Sequence, residues 1–144
     1  MRKSVTGVVT FPHVLVPIDL SEQSSRTLRI VGTLPAARVT LLHVIHRVPG
    51  LRATEFRGFY ARLRRRAEQV VERAANTLAA SGLRVSQVVT IGDPAREIVR
   101  LAAARRADLV VLGSHRIAPG PGQGLGTTSY KVAIACSCPV LLVK

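Results

Sequence analysis

The sequence predicts an α/β fold: a single three-layer, doubly wound domain on a five-stranded parallel sheet of order 3-2-1-4-5. Two features of the apolar pattern and one of length carry that expectation. Short runs rich in β-branched residues recur along the chain, and a segment with helical spacing separates each run from the next, the mark of parallel βαβ units. The chain has 144 residues without an internal repeat or linker, so residues 1–144 are expected to form one domain. Right-handed crossovers then favour a sheet that reverses direction between its first and fourth strands.

The first strand is His13–Pro17 (HVLVP). Ser21 follows as the expected cap of a helix running to about Val31, and Glu22 suits that helix's positive end. Pro35 closes the unit. Arg38–Ile45 (RVTLLHVI) is too continuously apolar for a solvated edge, which places it inside the sheet, buried on both faces. Pro49 and Gly50 turn the chain into a long helix from about Thr54 to Ala80, with Phe56, Phe59, Tyr60, Leu63, Ala67, Val70, Val71, Ala74 and Leu78 recurring at threes and fours. Gly82 stops it. Val85–Ile91 is the third strand, and Gly92-Asp93-Pro94 then supplies a turn, a cap and a proline suited to a first helical position. That helix runs to about Arg105 on an apolar face of Ile98, Leu101 and Ala102. Asp108–Gly113 is the fourth strand, Ser114–Leu125 an irregular stretch of Gly and Pro, and a helix from about Thr127 to Ala135 leads to the last strand, Pro139–Val143.

Composition narrows the function classes. Hydrophobic residues make up 47% of the chain, enough to build a core despite a net charge of +13 from 21 Lys+Arg against 8 Asp+Glu. No apolar run approaches the roughly 18 residues of a membrane span. The basic start Met1-Arg2-Lys3 leads into a region broken by Ser4, Thr6, Gly7 and Thr10, unlike a secretory leader, so a cytoplasmic location is expected. Cys136 and Cys138 are too few for a disulfide scaffold and lack further zinc ligands; they are expected as small buried hydrophobes rather than a redox pair. Of the 21 basic residues 18 are Arg, and Arg57, Arg62, Arg64, Arg65, Arg66 and Arg73 crowd the long helix. Such a face attracts polyanions. With Phe56, Phe59 and Tyr60 assigned to the core it has no stacking platform, so a solvated face is the preferred reading and nucleic acid is not an expected partner.

Ligands of doubly wound sheets bind where the strand order reverses, beyond the carboxyl ends of the strands. Pro17, Ile18 and Asp19 arrive there from the first strand, Gly113–Leu125 from the fourth, and His43 and Val44 lie beside them. In the stretch GSHRIAPGPGQGLGTTS, Gly113, Gly120, Gly122, Gly124 and Gly126 allow close backbone approach. Thr127, Thr128 and Ser129 bring hydroxyls to a helix start, where the dipole favours an anion such as phosphate. A plain flexible connector with Thr127 as an ordinary cap fits the spacing equally well. The chain has neither a P-loop lysine motif nor GxGxxG after its first strand.

VPIDLSE (Val16–Glu22), LLHVI (Leu41–Ile45), GDPAREIVRLAA (Gly92–Ala103), ADLVVLGSH (Ala107–His115) and the ending GTTSYKV…CPVLLV together resemble the universal stress proteins, in their ATP-binding branch. The resemblance runs from His13 to Lys144. The nucleotide signature of that family is Gly, two residues, Gly, nine residues, then Gly with Ser or Thr. Here Gly113, Gly126 and Thr127 keep its spacing, and Arg116 replaces the middle glycine. Arg116 either offers a guanidinium fork to phosphate oxygens or fills and shields the pocket, as in members that do not bind ATP.

The resemblance implies an adenine nucleotide: ATP in the first place, with AMP or ADP as alternatives and Mg²⁺ as an accompanying ion. Asp19 would face the ribose or a metal-bound water, in competition with a plain helix-starting role. Pro17 and Ile18 would shape the pocket, Val44 would offer backbone groups to the adenine edge, and Leu112 would pack near the base. Gly113, His115 and Arg116 would line sugar and phosphates, and Gly126, Thr127, Thr128 and Ser129 would hold phosphate oxygens. His43 is expected to be structural. Asp19 alone is too little for fast phosphoryl transfer, so nothing beyond slow ATP hydrolysis is expected of a nucleotide-loaded sensor. The resemblance also implies a homodimer through the Pro139–Val143 edge strand, with client proteins as partners. The alternatives are a family member acting by protein–protein contact alone, or a polyanion binder using the Arg-rich helix.

Overall fold

Parallel pairing in the order β3-β2-β1-β4-β5 organises the chain. The computed structural model describes residues 10–21, 23–50, 52, 54–114 and 127–144. In chain order its elements are β1 (Phe11–Pro17), α1 (Gln23–Thr33), β2 (Ala36–His46), α2 (Arg57–Ala79), β3 (Arg84–Gly92), α3 (Pro94–Ala104), β4 (Leu109–Gly113), α4 (Thr128–Ala135) and β5 (Val140–Val143). The register sets Val14 of β1 against Val39 of β2 and Leu15 against Val110 of β4.

Side-chain alternation on β1 divides the core. Val14 and Val16 pack with Val31 of α1 and Val71, Ala74 and Leu78 of α2, while Leu15 packs with Ile98 and Leu101 of α3 and Val132 of α4. Helices therefore cover both faces of the sheet, giving the expected three layers. β2 is buried over Val39–Leu42, as its continuous apolar run requires. Asp93 caps α3, its carboxylate accepting from Arg96 N at 2.9 Å, with Pro94 at the first helical position. Gly82 has a φ of +85° just past the end of α2, where a side chain would be strained. No helix among the described residues is long and apolar enough to cross a membrane.

Two expectations are corrected. Phe56 and Phe59 are 38% and 39% exposed rather than core residues. Phe56 precedes the first turn of α2 with non-helical backbone, and Phe59 lies roughly 100° around the helix from Tyr60. Tyr60, 5% exposed, takes the core position, and its hydroxyl accepts from Val48 N at 3.2 Å. Ser21 does not cap α1 with its side chain. The helix begins at Gln23, which leaves Ser21 one residue before the cap position, and its hydroxyl donates to the Asp19 carboxylate instead. Glu22 lies outside the described residues. Cys136 and Cys138 are half-buried against the α3/α4 core, and burial, followed by the neighbouring Cys138, pushes the Cys136 thiol up to about 11. That disfavours the reactive thiolate, in line with a packing role.

At the amino ends of the strands a polar chain crosses the sheet. His13 and Asp108 exchange two bonds, His13 N to Asp108 Oδ2 and Asp108 N to His13 O, each 2.8 Å, which ties β1 to the start of β4. The His13 ring is 3% exposed. Its Nδ1 lies 3.1 Å from Arg105 O, which only accepts, so Nδ1 carries the proton. Nε2 then accepts from Thr40 Oγ1 at 2.8 Å, and Thr40 Oγ1 lies 2.9 Å from Ser86 Oγ. Burial holds the His13 pKa below its ordinary value; Arg38 and Arg105 act in the same direction, against the Arg105 carbonyl and Asp108.

Above about pH 6.5, the ordinary value of histidine, His13 is neutral in both folded and unfolded chains and its full contribution to stability is present. As pH falls from there towards the lowered folded value, the unfolded chain takes up the proton first and stability is lost, at no more than about 1.4 kcal/mol per pH unit. Urea midpoints measured across this window are expected to fall for the wild type and to lose that component in His13→Gln.

Candidate functional site

α1, which follows β1, packs on one face of the sheet and α4, which follows β4, on the other, so these neighbouring strands serve helices on opposite faces. A cavity of about 460 Å³ opens at the carboxyl ends of the two strands. Its apolar wall is Ile18, Leu42, Val44, Pro94, Ile98 and Leu112; Asp19, Ser24, Thr27, His43, His46, Thr127, Thr128 and Ser129 provide the polar lining.

Each side of the cavity is fixed by local bonding. Ile18 N donates to Leu42 O at 2.8 Å, carrying the β1–β2 association one residue past the end of β1. Ile18 O lies 2.8 Å from His43 Nδ1, so this ring nitrogen is the donor. The Asp19 carboxylate folds the next turn: Oδ1 accepts from Ser21 N at 2.9 Å, from Ser24 Oγ at 3.0 Å and from the Ser21 hydroxyl. Ser24 Oγ also reaches Asp19 O at 2.8 Å. Opposite, Thr127 is the N-cap of α4; its hydroxyl accepts from Tyr130 N at 3.4 Å and lies 3.3 Å from Ser129 Oγ. The cavity thus has an apolar wall at the strand ends and a hydroxyl-rich helix start facing it, the combination that holds a flat apolar group attached to an anion.

Of the residues singled out from sequence, Pro17, Ile18, Asp19, Val44, Gly113, Leu112, Thr127, Thr128 and Ser129 come together around this cavity. His115, Arg116 and Gly126 lie outside the described residues, so the two roles left open for Arg116 stay open. Asp19 organises the start of the β1–α1 turn, as the helix-starting reading has it, and also lines the cavity. His43, expected to be structural, anchors Ile18 and lines the cavity as well. Sequence reasoning missed Ser24, Thr27, Leu42, His46, Pro94 and Ile98. The i,i+3 spacing of Ser24 and Thr27 and the i,i+4 spacing of Pro94 and Ile98, each near a helix start at the carboxyl end of the sheet, were the available signals. Among the described residues no group of three or more His, Cys, Asp or Glu is gathered to hold a metal, and Asp19 is the one carboxylate lining the cavity.

Comparison with known proteins places this geometry in context. A universal stress protein of Thermus aquaticus is 30% identical over 138 residues, covering 93% of this chain and 99% of the relative. The solved structure of the Methanocaldococcus jannaschii protein MJ0577 is similar at a TM-score of 0.81 and 31% identity, over 94% of this chain and 97% of that one. Two more distant structures share the fold. One is a universal stress protein in complex with cAMP (TM-score 0.69, 24% identity, 94% and 98% covered), the other an Archaeoglobus fulgidus universal stress protein in complex with dAMP (0.66, 16%, 94% and 100%). The model of the universal stress protein family matches residues 10–144, and this chain belongs to that family.

Proposed function

We propose that this stress protein binds an adenine nucleotide, ATP in the first place, in the cavity between the ends of β1 and β4, and works in the cytoplasm as a nucleotide-loaded dimeric regulator. The observation that carries the reading is the pairing of the apolar Val44, Ile98 and Leu112 wall with the hydroxyls at the start of α4, within a space of about 460 Å³. The base lies against that wall with the Val44 backbone at its edge, Asp19 faces the ribose, and Thr127, Thr128 and Ser129 take the phosphates. The two distant relatives in complex with adenine nucleotides support the choice of ligand class. Mg²⁺ fits only as a companion of the phosphates, because one carboxylate and no assembled metal cluster are present among the described lining residues. The same single carboxylate limits any hydrolysis to a slow side reaction.

Titration calorimetry with ATP and Mg²⁺, together with extraction of nucleotide from the purified protein, tests this reading. Replacing Thr128 and Ser129 by Ala removes hydrogen bonds to a charged group and is expected to weaken binding roughly 10- to 100-fold. Arg116→Gly decides between the two roles of that residue: weaker binding identifies a phosphate fork, stronger binding a shield. A wild type that carries no nucleotide and takes up no heat with millimolar ATP leaves a protein that acts by protein contact alone.

The dimer rests on β5, an edge strand on which Leu141 and Leu142 are 37% and 38% exposed, beside Ile134 of α4 at 66%. Light scattering is expected to give twice the monomer mass for the wild type and the monomer mass for Leu141→Lys combined with Leu142→Lys; a monomeric wild type refutes this part of the proposal.

A further inference from the structure

The structure adds to the arginines of α2 an arrangement that composition alone does not give. Arg62, Arg66, Gln69 and Arg73 follow one another at four, seven and eleven residues, which puts them on one side of the helix within roughly 60° and over about 16 Å. All four are exposed, opposite the buried Tyr60, Ala67, Val71 and Leu78. None of the three guanidiniums is in an ion pair among the described residues. Of the two carboxylates on α2, Glu68 lies 4.0 Å from Arg64 off this row, and Glu72 is roughly 100° around the helix from Arg73.

We propose that this row docks on the sugar-phosphate backbone of duplex nucleic acid, independently of base sequence. Charge complementarity selects a polyanion: α2 carries six Arg against two Glu in a chain of net charge +13. Two further observations choose among polyanions. The row contains no apolar side chain to enter the acyl region of a membrane, which separates it from an interfacial amphipathic helix. From Arg62 to Arg73 it contains no aromatic ring; the exposed Phe59 and Phe56 stand only before its amino end, so successive single-stranded bases find no platform along it. What remains is a helix offering guanidinium and amide donors at regular intervals, the donor types that bind phosphate and sugar oxygens without reading bases. No residue of the row lines the cavity, so this surface stands or falls apart from the nucleotide reading.

Anisotropy of labelled duplexes of about 20 base pairs, in two unrelated sequences and titrated between about 50 and 200 mM KCl, tests the proposal. The expected result is similar affinity for both sequences and a linear fall of log K with log salt. In the triple variant Arg62→Gln, Arg66→Gln, Arg73→Gln the slope becomes shallower by about 2.7 and affinity at the lowest salt drops at least about tenfold, with an unchanged melting temperature. Arg96→Gln with Lys131→Gln, on the opposite helical layer, leaves the slope as in wild type. No binding at about 50 mM KCl, a triple variant with the wild-type slope, or tighter binding to phosphatidylserine vesicles or to single strands than to duplex each overturns it.

Discussion

The pairing of β1 with β4 is the constraint on which the rest of the molecule depends. Parallel neighbours cannot be joined by a tight turn, so each strand must send the chain across a face of the sheet before the next can form. Because β1 sits beside β4, and their following helices lie on opposite faces, a cavity opens among the described residues at the carboxyl ends of the two strands. The two hydrogen bonds between His13 and Asp108 fix this pairing at the other end of the strands, and a chain from the buried His13 and Thr40 to the exposed Ser86 extends the tie to β2 and β3. A cavity at one end of the sheet and a polar clasp at the other are thus two consequences of one strand order.

Charge is distributed in keeping with that division. The cavity is lined by hydroxyls, two histidines and one carboxylate, with no arginine or lysine among its described lining residues, while α2 carries six arginines on its own. Among the described residues the lining offers an anion the hydroxyls and helix start of α4 rather than a cationic side chain. The net charge acts at the outer surface, where it is screened by salt. The described cavity lining and the outer surface of α2 thus differ sharply in charge.

The strand order and most elements were legible because their signals are local. Asp93 and Pro94 announce α3 by side-chain chemistry and fixed φ, and the predominantly apolar run of β2 announces a strand buried on both faces. Where a position depends on what lies across from it, sequence spacing was not enough. Phe56 and Phe59 have the composition of core residues, yet the start of α2 turns them outward in favour of Tyr60. Ser21 has the chemistry of a cap, but α1 begins at Gln23, one residue too late for it, and its hydroxyl turns to the Asp19 carboxylate. His43 looks like a residue of an apolar strand, and only the neighbouring Ile18 carbonyl shows that its ring belongs to the cavity as well. Helix-borne contributors such as Ser24 and Ile98 reach the site through packing of whole elements, which no short motif records.

The central claim is that the gap between the ends of β1 and β4 is a nucleotide site. It is tested most directly by amide and methyl NMR spectra recorded as ATP with Mg²⁺ is added to isotope-labelled protein. Shifts are expected to concentrate at Ile18, Asp19, Val44, Ile98, Leu112 and Thr127–Ser129, with the His13 end of the sheet undisturbed. Saturating ATP that leaves these resonances in place, or that moves only the arginine-bearing face of α2, contradicts it.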